Sequence, residues 1–145
     1  MPAPHKQLTI VVGIIELGDQ FLILRRVDDV PMWNHKWELP GGKIEAGEIP
    51  VDALRREVFE ETGLQIREPQ LLGVHTHHWH LPELTQQTFL IVYTASADSE
   101  GVSLNPEESD AYQWVTLDEF FMIPDHLEAN KEMITSLYAP FKQRK

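Results

Sequence analysis

Apolar positions recur along this chain with two different periods. Leu8 to Leu17 is an apolar, β-branched run, Gly18-Asp19 supplies a turn, and Phe21 to Arg25 is a second short run. Together they predict a β-hairpin behind a tail of residues 1–6. Val27 to Lys36 reads as a loop, and Trp37 to Leu39 as a brief extended piece that Pro40-Gly41-Gly42 ends. The period then changes. Val51, Leu54 and Val58 repeat at i, i+3 and i+7, with Pro50 suited to a first helical turn and Gly63 to a left-handed C-terminal position. Leu71 to Trp79 and Thr88 to Ala95 read as further strands, Asn105 to Asp110 as an acidic loop, Tyr112 to Val115 as a short strand, and Leu127 to Tyr138 as a last helix. Strands, a helix, more strands and a final helix predict an α/β fold with a mixed sheet between helices.

The helix over 50–63 carries the chemistry. Glu57, Glu60 and Glu61 fall at i, i+3 and i+4, within about 100° of one face. Like charges so spaced cost about 0.2–0.5 kcal/mol per pair in water, and in a groove the repulsion rises to about 4 kcal/mol at 4 Å. Mg²⁺ or Mn²⁺ reverses that penalty, because hard cations take carboxylate oxygens, waters and substrate phosphates. The net charge of −11 points the same way. Such a surface repels long nucleic acid but accepts a small polyphosphate whose charge is neutralised locally. No apolar run reaches the ~18 residues that span a membrane, and the first residues lack the order of a signal peptide. The absence of cysteine excludes thiolate chemistry and cysteine-held zinc and makes a reducing cytoplasm the default expectation.

From Gly42 to Leu64 the string GKIEAGEIPVDALRREVFEETGL places Gly42, Glu48, Arg56-Glu57-Val58, Glu60-Glu61 and Gly63-Leu64 at fixed intervals. It resembles the signature of the Nudix hydrolases at every fixed position. A solvated acidic face is the ordinary meaning of a charge run, but loop, cap glycine, arginine and apolar positions agree here. The opening hairpin, LPGGKIEAGE, and Ala129-Asn130 extend the resemblance to the MutT-like branch.

The resemblance implies one Nudix domain over 1–145, a Nudix α/β/α sandwich with a mixed sheet, and water attack on a nucleoside diphosphate derivative. The reaction it implies first is Mg²⁺-dependent cleavage of (deoxy)nucleoside triphosphates to monophosphate and pyrophosphate, with oxidised purines such as 8-oxo-dGTP among the candidates. ADP-ribose, a nucleotide sugar or a dinucleoside polyphosphate is the alternative substrate, and a nucleotide sensor without turnover the alternative class. Glu60, Glu61 and the Gly41 carbonyl would hold Mg²⁺, with Glu57 a further ligand or the general base. Arg56 would orient Glu57 or its loop, Glu48 would be mainly structural, and Glu107, or else Glu108, would add a loop carboxylate.

Arg26, preferred over Arg25, suits a phosphate because a guanidinium is planar and bidentate; strand alternation sends one of the pair to solvent. Asn130 offers both donor and acceptor to a base. Trp33, Trp37 and Trp79 could stack on it or pack in the core. His75, His77, His78 and His80 alternate on a strand. They are expected to line or flank the groove, with His78 taken as a substrate contact, while the lack of a nearby cysteine argues against zinc. The expected partner is a small nucleotide, for a monomer or a homodimer.

Overall fold

The computed structural model describes residues 5–144. Its elements in order are β1 (His5–Leu17), β2 (Gln20–Arg26), β3 (Trp37–Glu38), β4 (Gly41–Lys43), α1 (Pro50–Thr62), β5 (Ile66–His80), β6 (Thr85–Ala97), β7 (Ser109–Val115), α2 (Leu117–Met122), α3 (Glu128–Met133) and α4 (Ala139–Gln143). The sheet runs β3-β2-β1-β6-β5, with β4 added beside β1 and β7 beside β2. It is mixed, because β1 and β6 run parallel from His5↔Thr85 to Glu16↔Ser96 while the other pairings are antiparallel.

Strand alternation sorts the apolar residues onto two faces. Val11, Ile15, Leu22 and Leu24 pack beneath Ala53, Leu54 and Val58 of α1. Val12, Ile14, Phe21 and Ile23 join Phe120 of α2, Met133 of α3 and Ile134 on the opposite face. The result is the expected α/β/α sandwich. Burying a side chain such as Leu54 is worth about 1.5–3 kcal/mol, so α1 is anchored by its apolar stripe while its acidic stripe stays free for other work.

The opening hairpin is closed by Glu16↔Phe21 and Leu17↔Gln20, with Gly18 at φ 64°. Beyond those pairs β1 and β2 part, and β4 fills the wedge through Ile10↔Lys43, Val11↔Gly42 and Val12↔Gly41. The Gly13 N–H donates to Pro40 O at 2.9 Å across the gap. This parting brings the end of β2, the Gly41-Gly42 turn and α1 around one groove.

Several expected boundaries move. Pro40-Gly41-Gly42 does not simply end an extended piece, because Gly41–Lys43 is itself a strand. Of the expected tail over 1–6, residues 1–4 lie outside the described residues, whereas His5 and Lys6 belong to β1. Ser109 and Asp110 open β7 instead of closing the acidic loop. α2 was not expected, although its start is written in Thr116 and Glu119: each side chain bonds the other's backbone N–H in a capping box. The final helix continues past Tyr138 to Gln143 through a wide π stretch, Ile134–Tyr138, in which the Ala139 N–H reaches back to Ile134 O. Pro140 explains the widening, because it has no N–H to donate and its ring would crowd the Ser136 carbonyl of a regular helix.

Candidate active site

Pro50 opens α1, and Gly63 closes it at φ 74°, its N–H donating to Phe59 O at 2.8 Å. Between these caps the helix aims Glu57 and Glu61 at the Gly41-Gly42 turn. Glu61 is buried, and its Oε1 accepts the Gly41 N–H at 2.8 Å. Glu57 packs so closely on Gly42 that a Cβ there would lie 2.5 Å from its carboxyl carbon. A Cβ on Gly41 would meet Val11 O at 2.0 Å. Only glycines allow the turn to slide between β1 and the carboxylates.

Arg56 organises the outer wall. Its Nε and Nη2 grip Glu48 at 2.7 and 2.9 Å, Nη1 donates to Glu57 at 3.0 Å and to Glu60 at 3.3 Å, and Nη2 also donates to the Lys43 carbonyl at 3.1 Å. This fork holds the Glu48 carboxyl down at about 2, helped by the Glu45 N–H, and raises the affinity of Arg56 for its own proton. Glu48 is thus engaged by Arg56, which also fixes the rotamer of Glu57.

The inner carboxylates behave oppositely. Burial pushes Glu61 well above the usual range, and the charges of Glu38, Glu108 and Glu57 add to this against the opposing Gly41 N–H. Burial also raises Glu57, although Arg56 opposes it. Glu38 was not singled out from the sequence. Its side chain is 13% exposed, it meets Arg26 Nη1 at 3.1 Å, and burial pushes its carboxyl up to about 7. A hint lay in its strand position, where an acid alternates with the buried Trp37 and Leu39 directly before the glycine turn.

Two adjoining hollows meet here. The first is acidic, lined by Glu57, Glu61, Glu38, Glu45, Glu107 and Glu108 with Arg26 and Lys43. The second, ≈ 280 Å³, is walled by Leu8, Ile10, Val12, Trp33, Leu39 and Trp79, with Gln86, Thr88 and Asn130 as polar points. That volume lies at the lower end of small-molecule sites, which run about 300–1,000 Å³. Arg26, Glu38, Gly41, Gly42 and Lys43 line both hollows, so they form one continuous channel. Lys6, Lys43, Gln86 and Thr88 had carried no signal in the sequence, because isolated polar residues on strands look like ordinary surface positions.

Arg26 sits at the junction, held by Asp28 at 2.6 Å and lying 5.3 Å from the centre of the Trp33 ring. Arg25 faces away. It is tied to Asp110 at 2.7 Å, stands 5.9 Å from the Trp37 ring centre and lines neither hollow. Trp33 meets Trp79 edge-on at 5.5 Å, and its indole N–H is buried without a partner among the described residues. Trp37 is a core residue. Asn130 is buried, and its Oδ1 accepts the Leu39 N–H at 2.7 Å.

Other expected positions fall differently. Glu60 stands on the rim with 53% of its side chain exposed, outside the lining of the acidic hollow. Glu107 and Glu108 both line that hollow, and the charge of Glu108 adds to the upward shifts of Glu38, Glu57 and Glu61. His78 is exposed on the far face of β5 and is not brought to the channel. His75 and His77 turn inward but bond to Glu132, so of that stretch only Trp79 lines the cavity.

The acidic hollow fits a divalent cation. Several carboxylates converge on a glycine turn that leaves room for nothing larger than hydrogen, and their raised proton affinities show charge without sufficient compensation. Glu57, Glu61 and Glu108 are the residues of that lining that would hold it, with Glu60 at the rim.

The NUDIX domain model matches residues 6–137. A MutT-like protein of Streptomyces ambofaciens is 34% identical over 110 residues, covering 75% of this chain and 64% of that protein. The nucleoside triphosphatase NudI of Escherichia coli O139:H28 is 32% identical over 118 residues, covering 76% of this chain and 82% of its own. The crystal structure of the MutT NUDIX hydrolase from Burkholderia pseudomallei superposes with a TM-score of 0.77 at 24% identity, covering 90% of this chain and 97% of that one. The chain therefore belongs to the NUDIX domain family. Within it, its likeness is to the MutT-like hydrolases. No helix among the described residues is long and apolar enough to cross a membrane.

Proposed function

We propose that this Nudix hydrolase cleaves (deoxy)nucleoside triphosphates to the monophosphate and pyrophosphate, with Mg²⁺ as its cation and Mn²⁺ as a substitute. The observation that carries the reading is the continuity of the two hollows: an acidic hollow joins an apolar one through Arg26, so a phosphate chain and a base fit end to end. Glu57, Glu60, Glu61, Glu108 and the Gly41 carbonyl would hold the cation. When bound, it supplies charge neutralisation along the phosphate chain and acidifies water in contact with it.

The remaining steps belong to side chains. Arg26 exchanges a contact with Asp28 or Glu38 for the phosphate chain, which its planar fork grips in two places. Lys43 adds a second positive charge along the same wall. Glu57 takes the proton of the attacking water, while Arg56 keeps its carboxylate aimed. Trp33 and Trp79 flank the base. Asn130 spends its acceptor on Leu39, so its NH₂ remains to donate to a base acceptor such as O6 or N7 of a guanine. That favours purines, including oxidised ones such as 8-oxo-dGTP. The proposed setting is the cytoplasmic nucleotide pool, the working unit one domain over 1–145 as a monomer or homodimer.

A panel of triphosphates, ADP-ribose, nucleotide sugars and dinucleoside polyphosphates, incubated with Mg²⁺ and resolved by product, tests the reading. Pyrophosphate released from a purine triphosphate supports it. Absence of pyrophosphate from every triphosphate overturns it.

A further inference from the structure

Outside the lining of both hollows, two strand residues and one helix residue meet. His75 and His77 are two apart on β5, so their rings share the face turned toward α3. His75 Nε2 lies 2.9 Å and His77 Nδ1 2.8 Å from the same oxygen of Glu132 on α3. The three ligand atoms lie within 4.8 Å of one another. His77 is nearly enclosed at 8% exposure and rests on Trp79 at 4.3 Å, while Glu132 keeps an open side at 40%.

We propose that His75, His77 and Glu132 form a second cation site, outside the carboxylate channel, that takes a zinc-class transition-metal ion with water as its fourth ligand.

Two imidazoles and one carboxylate are a three-ligand set that zinc accepts, whereas Mg²⁺ prefers all-oxygen surroundings. With bonds of about 2.0–2.1 Å in a tetrahedron, ligand atoms stand roughly 3.3 Å apart. Each nitrogen–oxygen pair therefore has to open by only about half an ångström. Without metal, each ring presents an N–H to the carboxylate. With metal, a neutral ring carries its proton on the other nitrogen and offers a lone pair, so no proton is lost. Burial alone would raise the Glu132 carboxyl, but the two imidazole contacts outweigh it and hold the group below its ordinary value. Solvent reaches Glu132, which leaves a path for the ion and a place for water. An ion here would pin β5 to α3, the helix whose Asn130 bonds Leu39 at the cavity wall.

The plain alternative is a hydrogen-bonded latch with no affinity for metal, and the two separate cleanly. Untagged protein is stripped with chelator, dialysed into excess Mg²⁺ to occupy the carboxylate channel, and titrated with Zn²⁺ by calorimetry. One equivalent bound at micromolar or tighter Kd, a raised Tm, and visible absorption of four-coordinate Co²⁺ in the same protein are expected. H75A and E132Q should each weaken Zn²⁺ at least tenfold while still melting cooperatively without metal. H78A, altered on the far face, should bind like the parent. The proposal is overturned by no Zn²⁺ uptake under Mg²⁺, by uptake that E132Q leaves unchanged, or by a Co²⁺ spectrum of six-coordinate aquo type. The Co²⁺ spectrum needs no variant, so misfolding of H75A would not blunt the test.

Discussion

Replacing Glu38 with glutamine isolates the electrostatic strain at the channel junction. Glu38 titrates near 7 in the folded protein against an ordinary 4.5, because burial outweighs the attraction of Arg26. A carboxyl whose folded pKa is raised contributes stability that is fully present below the unfolded value and is lost as pH rises through the folded one. Between pH 5 and pH 8 that loss amounts to about 2.5 kcal/mol, at about 1.36 kcal/mol per pKa unit. Glutamine has nearly the same shape and no charge to lose. The stability of Glu38→Gln relative to the parent should therefore climb by about 2.5 kcal/mol across that interval. Urea unfolding of both proteins in EDTA, followed by tryptophan fluorescence at half-unit steps of pH, measures the difference directly. Glu57 titrates in both proteins, whereas Glu61 loses the repulsion of the Glu38 charge in the variant, which moves the difference in the same direction. Parallel curves from pH 5 to 8 would refute the claim that Glu38 is held protonated by its surroundings.

Glu57→Gln should fold normally yet lose about 10²–10⁴ in kcat on a triphosphate, the range for a removed general base; a pyrophosphate-release assay reads it. Gly42→Ala sets a methyl 2.5 Å from the Glu57 carboxyl carbon, so kcat should fall while far-UV circular dichroism stays unchanged. EDTA should abolish turnover in the parent, and added Mg²⁺ or Mn²⁺ should restore it within the same reaction. Leu54→Ala empties the contact between α1 and the sheet and should cost about 2–5 kcal/mol of stability, measured by thermal melting.

How much of this was legible in the sequence depends on whether a residue's role is local. The α1 box could be read residue by residue because caps, apolar stripe and carboxylates all lie on one continuous helix, whose period fixes what faces what. The hairpin and β7 were legible for the same reason. β4 was not, because two glycines signal a turn to any local rule; their pairing with Val11 and Val12 depends on a strand far away in sequence. Glu38 escaped for a related reason. Its neighbour Arg26 is twelve residues away, and the antiparallel pairing of β2 with β3 brings the two together. The preference for Glu107 over Glu108 rested on a loop whose direction no periodicity describes. The histidines show the same limit: alternation correctly paired His75 with His77, but the partner, Glu132, comes from a helix more than fifty residues on.

β1 has one further consequence. Lys6, Leu8, Ile10 and Val12 line the cavity, whereas Val11 and Ile15, of the opposite parity, hold α1. Odd and even positions of a single strand thus answer to different masters. A lineage could exchange the even-numbered side chains to admit a new base while the odd-numbered ones kept the hydrolytic helix seated, so that the choice of what is cut can drift independently of the means of cutting it.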